Sequence, residues 1–142
     1  MNEDPLPRTS LRTGLWLLAF SLPLGLTLEA LHAWKVPVYL GSALRRELWT
    51  LAHAHGNLLG ILCLVLASVA ARCWPDQGAR AFVLRYVRLA AVLMPLGFFL
   101  GGVLNYEGDP SYGILLVPLG ALFLVIALLR GVLARPRSSA SA

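Results

Sequence analysis

Residues 49–71 read WTLAHAHGNLLGILCLVLASVAA, a run without a single Asp, Glu, Lys or Arg. A helix crosses the hydrocarbon core of a bilayer with about 20 apolar residues, so this run is long enough to span one. Three more runs of the same kind lie at about 15–34, 82–105 and 112–133. The chain is 58% hydrophobic and only 13% charged, with a mean hydropathy of +0.71, too apolar for an ordinary soluble domain. Lipid satisfies no backbone polar group, so each run is expected to be a helix. With short second and third connections, the predicted fold is all-α. It is a four-helix transmembrane up-down bundle, one integral membrane domain over residues 1–142, with loose tails at 1–10 and 135–142.

Aromatic residues mark the edges of these runs. Trp16 and Trp34 bracket the first, Trp49 and Trp74 the second, and Tyr86, Tyr106 and Tyr112 fall at the boundaries of the third and fourth. This is the belt expected at a membrane–water interface. Arg8, Arg12, Arg72, Arg80, Arg85, Arg88, Arg130, Arg135 and Arg137 fall on the side of the tails and the middle loop. Only Lys35, Arg45 and Arg46 fall on the other. The positive-inside rule then places both termini in the cytoplasm. The expected location is a bacterial inner membrane, with multiple passes. The net charge of +5 is accordingly a topology signal. No basic face interleaved with aromatics is present, and nucleic acid is excluded as a partner. A basic start followed by an apolar stretch also fits a cleaved signal peptide. No small-x-small cleavage site follows Glu29, however, so the first run is read as retained.

The loop 35–48 is the long external connection, and 42–48 either extends the second helix outward or lies on the surface. The Asp109–Pro110 pair suits an N-cap followed by proline at the first position of the fourth helix. Ala52, Gly56 and Gly60 form one stripe of small residues and Gly97 with Gly101 another, spacings that let helices approach closely in lipid. Cys63 and Cys73 are too far apart along one helix, about 15 Å, to form a disulfide, and no CxxC motif is present.

The polar residues inside the spans carry the functional question, because intramembrane ionisable groups are costly without a task. All three histidines fall near the outer ends of the first two runs. Ser21, Gly25, Glu29 and His32 share one helical face, and Glu29-Ala-Leu-His32 is the Glu-x-x-His spacing that brings a carboxylate and an imidazole to one metal in bundle cores. On the second helix His53 and Asn57 share a face, whereas His55 is rotated from His53 by about 200°. Both therefore do not reach one ion from a regular helix, and His53 is placed inward ahead of His55. Asn105 joins the same outer layer, with Glu107 just above it. The candidate ligands are His32, His53 and His55, with Glu29 and Glu107 added for a metal ion, and Asn57 and Asn105 as residues orienting them.

The string His53-Ala-His-Gly-Asn-Leu-Leu-Gly60 resembles a helix of the catalytic subunits of C-type haem–copper oxidases and nitric oxide reductases. It is also similar to the His-Ala-His helix of small haem–copper membrane proteins linked to the nitric oxide response. The resemblance covers about ten residues and implies an axial haem ligand at His53 or His55. The third and fourth runs contain no histidine, so a second haem and a copper site have no ligands and the chain alone is not expected to reduce oxygen or nitric oxide. What the resemblance implies is one haem b held by His32 and a second-helix histidine, in electron transfer or in a respiratory-complex subunit.

Two further classes stay open. Glu29, His32, His53 or His55, with Glu107, can hold a Cu, Zn or Fe ion. Alternatively the chain is a cofactor-free accessory or assembly subunit, whose polar layer serves helix association. Its partners are then the lipid bilayer and other membrane subunits or further copies of itself. No nucleophile–base pair, phosphate loop or paired carboxylates lie within the spans, so the sequence assigns no catalytic residue.

Overall fold

The structure, a computed structural model, describes residues 5–103, 105 and 108–134. The predicted loose tail at 135–142 and the roles given to Tyr106 and Glu107 lie outside the described residues. The described elements are helical: α1 (Pro5–Ala33), a short α2 (Pro37–Leu40), α3 (Ala43–Cys73), α4 (Gln77–Val103), and α5 (Leu116–Leu133), which follows a 3-10 turn at Tyr112–Leu115. Four helices are long and apolar enough to cross a membrane: α1, α3, α4 and the segment Tyr112–Leu133. The 29, 31 and 27 residues of α1, α3 and α4 come to about 40–46 Å at the helical rise. That is the depth of a bilayer with its headgroups, so these helices outlast the hydrocarbon core.

Helix ends differ from the hydropathy reading, each for a local reason. The first helix is already formed at Pro5, well before residue 15, and the described stretch to Ser10 is helical rather than loose. Pro5 and Pro7 lie near its N-terminal end, where the fixed φ of proline suits a helix and a missing N–H costs least, so they do not loosen the chain. Ser10 is itself buried. The second long helix starts before Trp49 because Ser42 caps it: its extended backbone turns the chain and its hydroxyl accepts from Arg45 N–H at 3.2 Å. Asp76 caps α4 by accepting from Ala79 N–H at 2.8 Å.

The cap assigned to Asp109 is corrected to Ser111. The Ser111 hydroxyl donates to Leu100 O at 2.8 Å and accepts from Gly113 N–H at 3.4 Å, while Ser111 N–H reaches Gly101 O at 3.2 Å. A hydroxyl both donates and accepts, so it serves the carbonyls at the end of α4 as well as the start of the 3-10 turn. An ionised carboxylate only accepts, and Asp109 stays exposed.

Packing is sequential: α1 lies on α3, α3 on α4 and α4 on α5, while α1 meets α4 only lightly. Along each seam contacts run in opposite order on the two helices. Gly14 faces Gly60 and Leu64, whereas Gly25 faces His53. Gly97 faces Val117, and Gly120 faces Met94. Both small-residue stripes therefore pack inside this chain, the first against α1 and the second against α5. A Cβ on Gly14 would stand 2.7 Å from Gly60 O, and one on Gly97 would stand 2.9 Å from Val117 N. Backbone, which cannot step aside, sets both limits.

The core of Leu59, Cys63, Val83, Val87, Ala91, Met94 and Ala127 joins α3, α4 and α5. Cys63 is buried and Cys73 exposed, both as free thiols. Two of the tryptophans read as belt residues are structural pegs. Trp49 stacks between Tyr39 and Phe99, at 6.2 and 5.6 Å between ring centroids, and donates from Nε1 to Phe99 O at 3.1 Å. Trp74 donates to Gly131 O at 2.9 Å and ties the end of α3 to the end of α5.

Candidate functional site

The α1–α3 seam carries the polar site, and it is built around His53. Its Nδ1 lies 2.8 Å from Ser21 O, and the Ser21 hydroxyl donates to His53 O at 2.7 Å. Each helix thus lends a side chain to a backbone carbonyl of the other. A carbonyl only accepts, so Nδ1 carries a proton and donates it to Ser21 O. Asn57 Nδ2, one turn along α3, stands 3.2 Å from Nε2 and 3.4 Å from Nδ1 and so lies against the face of the ring. The ring is thus held by one hydrogen bond to α1 and by the Asn57 amide against it. Asn57 Oδ1 is buried without a partner among the described residues.

The ring fits because Gly25 leaves a notch in α1. A Cβ there would stand 2.3 Å from His53 Cε1 and 2.7 Å from Nδ1, far inside contact distance. Placing His53 inward and Asn57 on its face agrees with this geometry. The continuation of that face to Glu29 and His32 does not. Leu28 takes the buried position, while Glu29 and His32 are exposed and make no hydrogen bond or ion pair among the described residues. His32 is also seven residues beyond Gly25, about 10 Å along the helix from the level of His53.

His55 lies on another side of α3. Its ring packs against Phe98 of α4, with centroids 4.7 Å apart, and its Nδ1 bonds back to Leu51 O at 2.9 Å. Asn105 belongs to neither histidine. It donates to Ser42 Oγ at 2.9 Å and accepts from Arg45 Nη2 at 3.0 Å, eight residues from His53 along α3 and so about 12 Å away. Glu107 lies outside the described residues.

The outer layer therefore separates into two groups that the sequence merged. The second group, which the sequence reading missed, is a clamp made by Arg45. Its guanidinium donates to Gly102 O at 3.0 Å, Val103 O at 3.5 Å and Asn105 Oδ1, all at the end of α4, and also to Val38 O. It lies over the Trp49 ring, 5.7 Å from the centroid. A cation at a helix C-terminus answers both the unpaired carbonyls and the negative end of the dipole. The available signal was an Arg45–Arg46 pair on the side otherwise poor in cations. Arg46 donates to Leu40 O.

A haem held by two histidines needs two imidazole nitrogens free and facing one iron. His53 is held on α1 through Nδ1 and packed in the Gly25 notch, and His32 is exposed at another level, so this pair does not face one iron and does not fit that group. Among the described residues no three His, Cys, Asp or Glu side chains converge as a metal site. No family model, curated protein or solved structure matches the chain.

Proposed function

We propose that this chain is a four-span, up-down bundle of a bacterial inner membrane, with both termini cytoplasmic, and that it works as a cofactor-free accessory or assembly subunit of a membrane complex. One observation carries the choice: His53 has Nδ1 held on Ser21 O and the Asn57 amide against its ring, and the ring is seated in the Gly25 notch. An imidazole used in this way locks α1 to α3 where lipid gives no hydrophobic drive for association. The cytoplasmic termini rest on the bias of nine cations to three. The exceptions support that orientation, because Arg45 and Arg46 are held on backbone carbonyls.

A second reading rests on His55. Its Nδ1 bond to Leu51 O leaves Nε2 as a lone pair with no protein partner among the described residues. This is how a ligating imidazole is commonly oriented, with the other nitrogen on a carbonyl. His55 would then supply one ligand to a haem b, or to a Cu, Zn or Fe ion, shared with another subunit in electron transfer.

Purification in mild detergent from a host replete in haem and metals, followed by a visible spectrum and metal analysis, separates the two. The accessory reading expects no Soret band and far less than one metal per chain. A Soret band or a stoichiometric metal that disappears in His55→Ala replaces it with the second reading. Orientation has its own check. Reporters fused at Asn2 and at Ala142 are expected to be active only as cytoplasmic reporters, and an external C-terminus reverses the assignment.

A further inference from the structure

The light contact between α1 and α4 leaves a cleft with two chemically different ends. Its wider part, about 490 Å³, is walled by Leu17, Phe20 and Leu24 of α1 and by Val92, Leu96 and Phe99 of α4. A second hollow of about 330 Å³ continues from Val92 to Arg85, Arg88 and Thr13. Sequence spacing lines up both walls. Residues 13, 17, 20 and 24 follow one stripe of α1, and 85, 88, 92, 96 and 99 one stripe of α4.

The arginines at the narrow end have no counter-charge among the described residues. Neither makes a hydrogen bond or ion pair among the described residues, and Arg88 Nε is buried without a partner. Arg88 follows Gln77 by eleven residues, about 16 Å along a helix of about 40 Å, which places its backbone below the hydrocarbon boundary. A guanidinium at that depth is costly unless it is paired or reaches the interface. The ligand that suits this cleft has an anion at the arginine end and an apolar tail at the other. A soluble anion would leave the apolar part unfilled, and a neutral acyl chain would leave the arginines unpaired.

We infer that the α1–α4 cleft binds an anionic phospholipid, with its phosphodiester on Arg85 and Arg88 and one acyl chain along Val92, Leu96 and Phe99. Basic pockets between transmembrane helices hold such headgroups by charge-assisted, often bidentate, hydrogen bonds. A zwitterionic lipid brings its own ammonium and gains less from the two guanidinium groups. The inference needs a chain embedded in a membrane and is independent of the accessory reading.

The test uses the full chain, delipidated in a non-ionic detergent and titrated with phosphatidylglycerol, phosphatidylcholine of the same acyl chains, or inorganic phosphate. Lipid retention is read by native mass spectrometry and stability by the thermal midpoint. Phosphatidylglycerol is expected to be retained about tenfold better than phosphatidylcholine, the equivalent of one charge-assisted hydrogen bond, and to raise the midpoint. Arg85→Gln with Arg88→Gln should bring its retention down to the phosphatidylcholine level, whereas Arg88→Lys should keep most of the preference. Leu96→Trp, which fills the apolar part without changing charge, should weaken retention of both lipids. Equal retention of the two lipids by the unaltered chain overturns the inference, as does an undiminished preference in the double Gln variant. An equal rise in midpoint with inorganic phosphate overturns the lipid assignment in favour of a headgroup-sized anion. If the Gln pair does not fold, loss of the preference in Arg88→Lys alone overturns the charge argument.

Discussion

Gly25→Ala is expected to destabilise the protein by about 1–3 kcal/mol, and more if the displaced His53 ring leaves Ser21 O and Asn57 unpaired. The sign is unusual, because alanine is favoured over glycine inside a helix by about 1 kcal/mol. Here the new Cβ would stand 2.3 Å from His53 Cε1, so the ring has to leave its seat or α1 has to move away. Without the ring the conflict disappears. In a His53→Ala background the same Gly25→Ala change is expected to be neutral or stabilising by up to about 1 kcal/mol, its intrinsic helical value. A reversal of sign between the two backgrounds is a coupling that ordinary surface substitutions do not show. His53→Ala alone should cost about 2–4 kcal/mol, from the lost packing and the stranded Ser21 carbonyl. Ser21→Ala removes one interhelical hydrogen bond and should cost about 0.6 kcal/mol, the average for such bonds in membranes, and at most about 1.7 kcal/mol. Reversible unfolding in mixed detergent measures all four variants. An identical cost of Gly25→Ala with and without the imidazole would show that His53 does not occupy the notch.

Arg45→Met carries the second large effect, an expected loss of about 3–5 kcal/mol. The guanidinium serves carbonyls of Gly102 and Val103, the Asn105 amide and Val38 O at once. Hydrogen bonds to a charged group contribute about 1.5–3 kcal/mol each, though a shared donor gives less than their sum. Arg45→Lys should recover under half of the loss, because an ammonium lacks the planar fork that spans several acceptors. Amide exchange reports where the damage falls: faster exchange confined to the end of α4 and the start of α3 is expected. Full rescue by lysine would mean that charge at the helix end, rather than the fork, holds this corner.

The two arginine and histidine groups show why the outer layer was only partly legible. Depth along each helix follows from residue counting, and by that measure His32, His53, His55 and Asn105 all sit near one level. Azimuth and neighbour do not follow. The helical period separates His53 from His55 by about 200°, yet it does not say which of them meets α1. That choice depends on Gly25 and Ser21 being opposite His53, a matter of how far α1 slides along α3. The slide is limited where Gly14 meets Gly60, a backbone-to-backbone contact that hydropathy does not register. His32 shares the face of Ser21 in projection and still lies exposed, because α1 has run past its contact with His53 at that point. The cap of the fourth span and the helical stretch at 5–10 were misread for the same kind of reason: Ser111 and Pro5 act through individual hydrogen bonds or their absence, which an average over many residues conceals.

What the sequence by itself determined is the set of four apolar helices and the small-residue stripes on them. Both follow from rules that act along one chain: backbone groups in lipid have to be satisfied within the helix, and close approach needs glycine or alanine at every fourth position. Only the tertiary structure decided that His53 is an imidazole seated against α1, that Arg45 and Asn105 form a separate clamp, and that α1 stands off α4 to leave a cleft ending at Arg85 and Arg88. The physical reason is that these features depend on axial register between helices, set by a few side chains and glycine notches. Nearly every register would bury similar apolar area, so hydropathy is almost silent about which one forms.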